Sequence, residues 1–261
     1  MHPKLLTTAY FNLYTYGLLL AAAYLAAVWI LFRGARREGI EPEKVSRLGL
    51  YIIIGAIVGA KALMILRSFS IYWEHPSKLW SLGTLQSGGD FYGGFIGALA
   101  ATFLFFSKYK DIPRWRVADL SGPAIAAGQA IGRIGCFMAG CCYGCPTSLP
   151  WGVTFHDPAA EELVGTPLGI RLHPVQLYES LSCLILFLYL QRLLKRKHFD
   201  GQVILTYAIA YAGIRFLLEF TRGDTVRGFL LGGLLSTSQF VALVVLAIGI
   251  PVYLWKMKKG A

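Results

Sequence analysis

The sequence predicts an all-α membrane protein of seven transmembrane helices, and three observations lead there. Of its 261 residues, 56% are hydrophobic and only 15% are charged, whereas a soluble domain carries about 25% charged residues. The apolar residues fall in long continuous runs near the roughly 20 residues that a bilayer core requires, not in the alternating segments of about ten that build a barrel. The basic residues are dense in every second connection, which is the pattern left by successive crossings.

The runs cover approximately 12–32, 48–66, 91–107, 117–137, 175–194, 202–220 and 235–255. Only Lys4 precedes the first run as a basic residue, and that run is long enough to span, so no cleavable signal peptide is expected. The connections 33–47 and 108–116, the segment after the fifth run and the tail carry sixteen basic residues: Arg33, Arg36, Arg37, Lys44, Arg47, Lys108, Lys110, Arg114, Arg116, Arg192, Lys195, Arg196, Lys197, Lys256, Lys258 and Lys259. The opposite side holds six, namely Lys4, Arg67, Lys78, Arg171, Arg222 and Arg227. The positive-inside rule then places the N-terminus outside and the C-terminus in the cytoplasm. Topology accounts for the net charge of +11, and no nucleic-acid partner is needed. One polytopic membrane domain, 1–261, is expected, with external cap segments at about 67–90 and 138–174. Tyr72, Trp73 and Trp80 in the first segment suit the headgroup layer.

With that topology, polar groups from several runs meet near the outer leaflet. Arg133 lies in the fourth run, inside Gly128–Gly144. A cation at the centre of a membrane helix costs about 2.5–3.5 kcal/mol on insertion scales, and an anionic lipid headgroup gives a reason to keep it there. Tyr92 opens the third run. Tyr16 and Lys61 lie in the outer parts of the first and second. His173, Gln176 and Glu179 open the fifth, and Arg215 and Glu219 close the sixth, with Arg222 just beyond. Asp119 is the exception, at the cytoplasmic start of the fourth. Arg215, Glu219 and Arg222 are spaced to share one helix face. A structural ion pair is the plain reading, yet one carboxylate cannot neutralise those two arginines and Arg133 together. The surplus charge suits a phosphate, which a planar guanidinium grips well.

Gly93 and Gly94 beside Tyr92, and Gly128, Gly132, Gly135 and Gly140 along the fourth run, suit close helix packing. They also suit room for acyl chains or exposed backbone N–H groups. For Cys136, Cys141, Cys142 and Cys145 a disulfide is favoured over buried thiols, and both over a metal site. At least one oxidised pair is expected, and no metal or cofactor.

These residues match a family. Gly93-Gly94-Phe95-Ile96-Gly97, Gly132-Arg133-Ile134-Gly135, the stretch from Arg171 to Glu179 and the stretch from Tyr211 to Arg222 resemble bacterial prolipoprotein diacylglyceryl transferase. The resemblance implies a multi-pass enzyme of the bacterial inner membrane with its site facing the outer leaflet. It implies transfer of diacylglyceryl from phosphatidylglycerol to the lipobox cysteine in the signal peptide of a preprolipoprotein, forming a thioether and releasing glycerol phosphate. The resemblance implies that Arg133 and Arg215 are the essential arginines and that Glu219, Arg222, Tyr211, Tyr16, Gly144 and Asp119 are supporting positions. Taken with the placement of the polar groups, Arg133, Arg215, Tyr92 and Glu219 are expected at the chemistry, Tyr16, Lys61, Gly93, Gly94, Gly144, His173, Gln176, Glu179, Tyr211 and Arg222 are expected to contact substrate, and Asp119, Cys136, Cys141, Cys142 and Cys145 are expected to be structural. A monomer surrounded by membrane lipids is expected. Three positions depart from the family pattern: Tyr92 stands where it has His, Cys136 where it has Asn, and Cys141 where it has an acidic residue. A divergent paralogue with another acceptor, or a non-catalytic phospholipid-binding membrane protein, are the competing readings.

Overall fold

The structure is a computed structural model that describes residues 4–7, 12–81, 84, 89–224, 228–230 and 233–260; Arg227 lies outside them. Each of the seven apolar runs contains one α-helix, although residues 12–14 and 235–236 are strand and 219–220 lie in a 3-10 turn. The helices are α1 (Thr15–Arg37), α2 (Pro42–Arg67), α4 (Phe91–Lys108), α5 (Arg114–Ala139), α7 (Val175–Leu194), α8 (Gln202–Leu218) and α9 (Thr237–Gly260). Two short helices, α3 (Phe69–Glu74) and α6 (Pro158–Val164), sit in the connections. Strands occur only as two-stranded antiparallel pairs among the described residues: β1 (Lys4–Thr7) with β2 (Asn12–Tyr14), β3 (Val153–Thr154) with β4 (Arg171–Leu172), and β5 (Phe229–Leu230) with β6 (Leu235–Ser236).

The helices reach further into the basic connections than the hydropathy pattern indicates. Arg33, Arg36 and Arg37 ride on the last turns of α1, and Lys44 and Arg47 on the first turns of α2, which begins with Pro42 at its first position. Cations at a helix C-terminus complement its dipole, and proline loses nothing at the first position because its missing N–H would have had no helical partner.

Among the described residues, five helices are long and apolar enough to cross a membrane: α1, α2, α7, α9 and α8 continued to Thr221. Large apolar side chains such as Leu25, Ile57, Phe103, Ile185 and Ile248 stand exposed on their surfaces. In water such faces would be a liability; facing lipid they are the expected outside of the molecule. The run in α4 is apolar but shorter, Tyr92–Lys108. Helix α5 has the length but not the hydropathy, because it is built of Gly and Ala with Asp119, Gln129 and Arg133 among them.

The position of α5 explains that composition. Its buried residues run from Val117 to Cys136. Near its C-terminal end a Cβ on Gly135 would lie 3.3 Å from Leu19 and 3.4 Å from Tyr16 of α1. At its middle the Ala130 carbonyl accepts a 2.7 Å hydrogen bond from Ser180 of α7. Towards its start Gly122 meets Val203 and Tyr207 of α8. A helix covered by neighbours needs little apolar side chain of its own, and small residues let those neighbours come close.

The chain divides into two compact units, residues 1–31 with 115–261, and residues 32–114. In the second unit α2 and α4 pack through glycine. A Cβ on Gly59 would lie 2.2 Å from the Gly93 carbonyl oxygen, and one on Gly97 would lie 2.1 Å from that of Gly55. The Gly55-x3-Gly59 spacing in α2 is the partner of the glycines in α4, and only hydrogen fits at this crossing. Asp90 caps α4 by accepting from the N–H groups of Tyr92 and Gly93, and Arg67 pairs with it at 2.7 Å. Lys61 donates to the Thr84 carbonyl at 2.6 Å. Tyr92 is half-exposed.

In the first unit the basic ends of three helices converge. Asp119 is fully buried near the start of α5 and reaches the first turn of α8. Its Oδ2 accepts from Gly201 N at 2.8 Å, and its Oδ1 from Val203 N at 2.9 Å and Ile204 N at 3.1 Å. Lys197 adds an ion pair at 3.2 Å. One carboxylate thus serves three N–H groups that the helix cannot satisfy itself. Beside it, Lys256 of α9 lies 3.7 Å from the centre of the Trp115 ring and donates to the Asp200 carbonyl.

Candidate active site

The opposite ends of the same helices carry the arginines. The alternation of helix direction sets this: Arg133 is near the C-terminus of α5, Glu179 near the N-terminus of α7, and Tyr211 and Arg215 near the C-terminus of α8. Arg133 Nη2 lies 3.0 Å from Glu179 Oε1, and Tyr211 donates to the same oxygen at 2.7 Å. Glu179 is almost wholly buried, with 1% of its side chain exposed. A buried carboxylate needs partners, and here it gains a guanidinium and a phenol from two other helices. Arg133 and Arg215 both stand within electrostatic reach of the Tyr211 hydroxyl. Tyr207 stacks on Tyr211 with centroids 5.8 Å apart and donates to Gln129 of α5 at 2.8 Å.

Arg215 pairs with Glu219 at 2.8 Å and donates to Ser238 of α9 at 3.2 Å, both through Nη2. Its Nη1 is buried and has no hydrogen-bond partner among the described residues. A guanidinium presents five N–H donors in a fixed fork, so Arg215 retains unused donors inside the protein.

Arg222 departs from the expectation. Helix α8 ends at Leu218, a single 3-10 turn covers Glu219–Thr221, and Arg222 is extended. It therefore does not share a helix face with Arg215 and Glu219. It forms an isolated bridge with Gly144, and its guanidinium grips Asp224 through two nitrogens, at 2.8 Å and 2.5 Å. Each arginine thus has its own carboxylate: Arg133 with Glu179, Arg215 with Glu219, Arg222 with Asp224. Among the described residues, the surplus of positive charge inferred from one carboxylate and three arginines does not exist. What remains for an anion is unused N–H geometry at Arg215.

Gly144 also differs from its expected role as a substrate contact. Its N–H donates to the His173 carbonyl at 3.1 Å. A Cβ there would lie 2.5 Å from His173 and 2.8 Å from the Thr221 carbonyl oxygen. Glycine is required because three backbone segments cross, and the N–H is already used. His173 shares the Tyr178 hydroxyl, 3.3 Å from its Nδ1, with the Trp151 indole N–H at 2.8 Å. Gln176 is buried and donates to the Cys141 carbonyl at 2.8 Å, tying α7 to the chain leaving α5. That chain, from Gly140 to Pro174, is a folded segment containing α6, capped by Asp157, and the β3–β4 pair.

All five cysteines are free thiols, so the expected oxidised pair is not formed in this structure. The sulfurs of Cys136, Cys141 and Cys142 lie within 4.8 Å of one another. Cys142 adopts φ of +60°, a left-handed conformation that costs a non-glycine residue about 1 kcal/mol or more. Its thiol is pushed down by hydrogen bonds from Cys136 and Cys141, then by Arg222 and Arg133, against the effect of burial. Cys145 lies apart and donates to the Arg222 carbonyl at 3.0 Å. Cys183 is fully buried in α7, beside Gln129. Tyr16 of α1 stands within electrostatic reach of Arg133 and of all three clustered cysteines.

The prolipoprotein diacylglyceryl transferase family matches residues 3–255. The chain belongs to that family. Among its relatives is a phosphatidylglycerol–prolipoprotein diacylglyceryl transferase of Clostridium tetani, 37% identical over 254 residues and covering 97% of both chains. That of Thermosynechococcus vestitus is 32% identical over 94% of this chain and 88% of its own. A second enzyme of that name in Clostridium perfringens is 32% identical over 95% and 93%.

Several residues of this family member's ring escaped the sequence reading. Asp224 could have been found from its spacing, since Arg222-Gly223-Asp224 lets a carboxylate fold back on its neighbour but one. Gln129 was visible as a lone amide inside an apolar run. Ser238 carried no signal, because a serine at the start of a helix is ordinary.

Proposed function

We propose that this chain transfers the diacylglyceryl group of phosphatidylglycerol to the lipobox cysteine thiol of a preprolipoprotein. The thiolate attacks the glyceryl carbon, a C–S bond forms, the C–O bond to phosphate breaks, and glycerol phosphate leaves with the electron pair. The names of the relatives support both substrates. The observation that carries the reading is Arg215, held by Glu219 and Ser238 through Nη2, with a buried Nη1 that has no hydrogen-bond partner among the described residues. Donors fixed in a dry site stabilise charge that develops on a departing phosphate ester, because they need no reorganisation as it forms. Arg133, oriented by Glu179 and Tyr211, is the second member of the clamp. The test is turnover of labelled phosphatidylglycerol by the purified protein with a lipobox peptide. A mass gain of one diacylglyceryl group on the cysteine peptide, absent from a serine peptide, is expected; no gain on either refutes the reading.

The proposal includes seven crossings of a bacterial inner membrane, the N-terminus outside, the C-terminus cytoplasmic, and the arginines towards the outer leaflet. The enzyme works as a monomer. Support comes from the sixteen-to-six division of basic residues and from the grouping of Trp115, Asp119, Asp200 and Lys256 at the ends remote from Arg133 and Arg215. A reporter fused at Lys259 should read cytoplasmic and one within 146–170 external. A cytoplasmic signal from the second would overturn the orientation.

A further inference from the structure

The thiols of Cys136, Cys141 and Cys142 form no disulfide, and their grouping is unusual. Cys136 lies one helical turn after Arg133, on the same face. The chain then leaves α5 through Gly140, and the left-handed backbone at Cys142 turns that side chain back beside Cys136 and Cys141. Gln176 fixes the turn by holding the Cys141 carbonyl. Three sulfurs gathered within 4.8 Å need only a modest contraction to meet a zinc ion. Bonds of about 2.3 Å in tetrahedral geometry put sulfurs about 3.8 Å apart.

We propose that Cys136, Cys141 and Cys142 form a three-thiolate site for a thiophilic divalent cation of the zinc class, whose open fourth position takes the acceptor thiol. Three protein ligands with one position left over is the pattern of catalytic rather than structural zinc. Three thiolates and a divalent cation carry a net negative charge, and Arg133 and Arg222 stand close enough to act on it. The ring also has a need that the site meets. Glu179, Glu219 and Asp224 are each held by an arginine, so none is a ready base for a thiol. A metal removes that requirement: the acceptor thiol binds as thiolate and releases its proton to solvent. Its sulfur then attacks the glyceryl carbon, and the C–O electron pair leaves with the phosphate. The acceptor role rests on the transfer reading above; the metal site does not.

The test uses the full chain, purified in detergent under reductant without chelator, with metal content measured directly. A stoichiometric thiophilic metal is expected. After exchange for cobalt, a thiolate-to-cobalt charge-transfer band should appear. Cys136→Ser, Cys141→Ser or Cys142→Ser should each weaken binding by at least about 10–100-fold, the cost of losing even a group that only supports a ligand. Cys145→Ser and Cys183→Ser should leave it intact. Adding a lipobox cysteine peptide should shift the visible cobalt bands, and a serine peptide should not. Metal that survives all three substitutions, no metal after zinc addition, or recovery of two of the three thiols as a disulfide would overturn the site. Metal without a peptide shift would overturn the acceptor role alone. A peptide shift without diacylglyceryl transfer would uphold the site and overturn the transfer reading instead.

Discussion

Arg215→Ala should slow transfer by about 10²–10³-fold, the usual cost of losing one preorganised donor to developing charge. Two features make the effect specific. Nη2 is committed to Glu219 and Ser238, which fixes the plane of the guanidinium, and Nη1 is buried without a hydrogen-bond partner among the described residues. Arg215→Lys keeps the charge beside Glu219 but loses the fork, so it should rescue poorly. Arg133→Ala should cost as much. That variant also leaves Glu179 buried with Tyr211 as its remaining ring partner, so part of its loss is structural. The two contributions separate on measurement of turnover alongside thermal stability in detergent. Arg215→Ala likewise takes the ion-pair partner from buried Glu219, so it is expected to lower the melting temperature as well, while turnover of the folded protein collapses far beyond that loss. Turnover close to the parent's in a folded Arg215→Ala protein would sink the clamp.

Asp119→Ala should be the most destabilising single change in the 115–261 region. It removes the acceptor for three N–H groups at the start of α8 and one partner of Lys197. Removing one member of a buried ion pair typically costs about 3–5 kcal/mol. Asp119→Asn keeps one oxygen for the N–H groups and should fall between. Thermal unfolding monitored by aggregation in detergent checks the order parent, Asn, Ala; an unchanged midpoint for Ala would refute the role. Turnover measured on the surviving folded fraction should stay near the parent's, because Asp119 is at the end of α5 remote from Arg133.

The comparison of sequence with structure is instructive at particular residues. The seven helices were legible because long apolar runs have few alternative conformations in lipid. Arg133, Glu179 and Arg215 could be brought together on paper because alternating helix direction places their ends on one side, whereas Tyr211 was singled out only by the family resemblance. Arg222 could not, since a spacing of seven residues implies a shared face only while the helix continues, and α8 stops at Leu218. The charge balance failed for a related reason: Asp224 is two residues beyond Arg222, outside any helical register. Gly93 was read as serving close helix packing and also as leaving room for a ligand; the Gly59 carbonyl fills that space, so packing is the use the structure shows. Only the facing helix reveals which use a glycine serves.

The pairing of the three arginines also sets a timetable for biogenesis. Arg215 and Arg222 find their carboxylates within four residues of themselves, so each leaves the ribosome together with its counter-ion. Arg133 does not, because Glu179 follows it by about 46 residues and belongs to a later helix. At roughly 5–20 residues per second of synthesis, α5 waits for several seconds with an uncompensated cation. It is also the long helix with too little hydropathy to cross on composition alone. On the proposed seven-crossing topology, α5 therefore depends during nascent-chain insertion on α1 as its earlier-made companion, and it becomes secure in the bilayer only when α7 emerges.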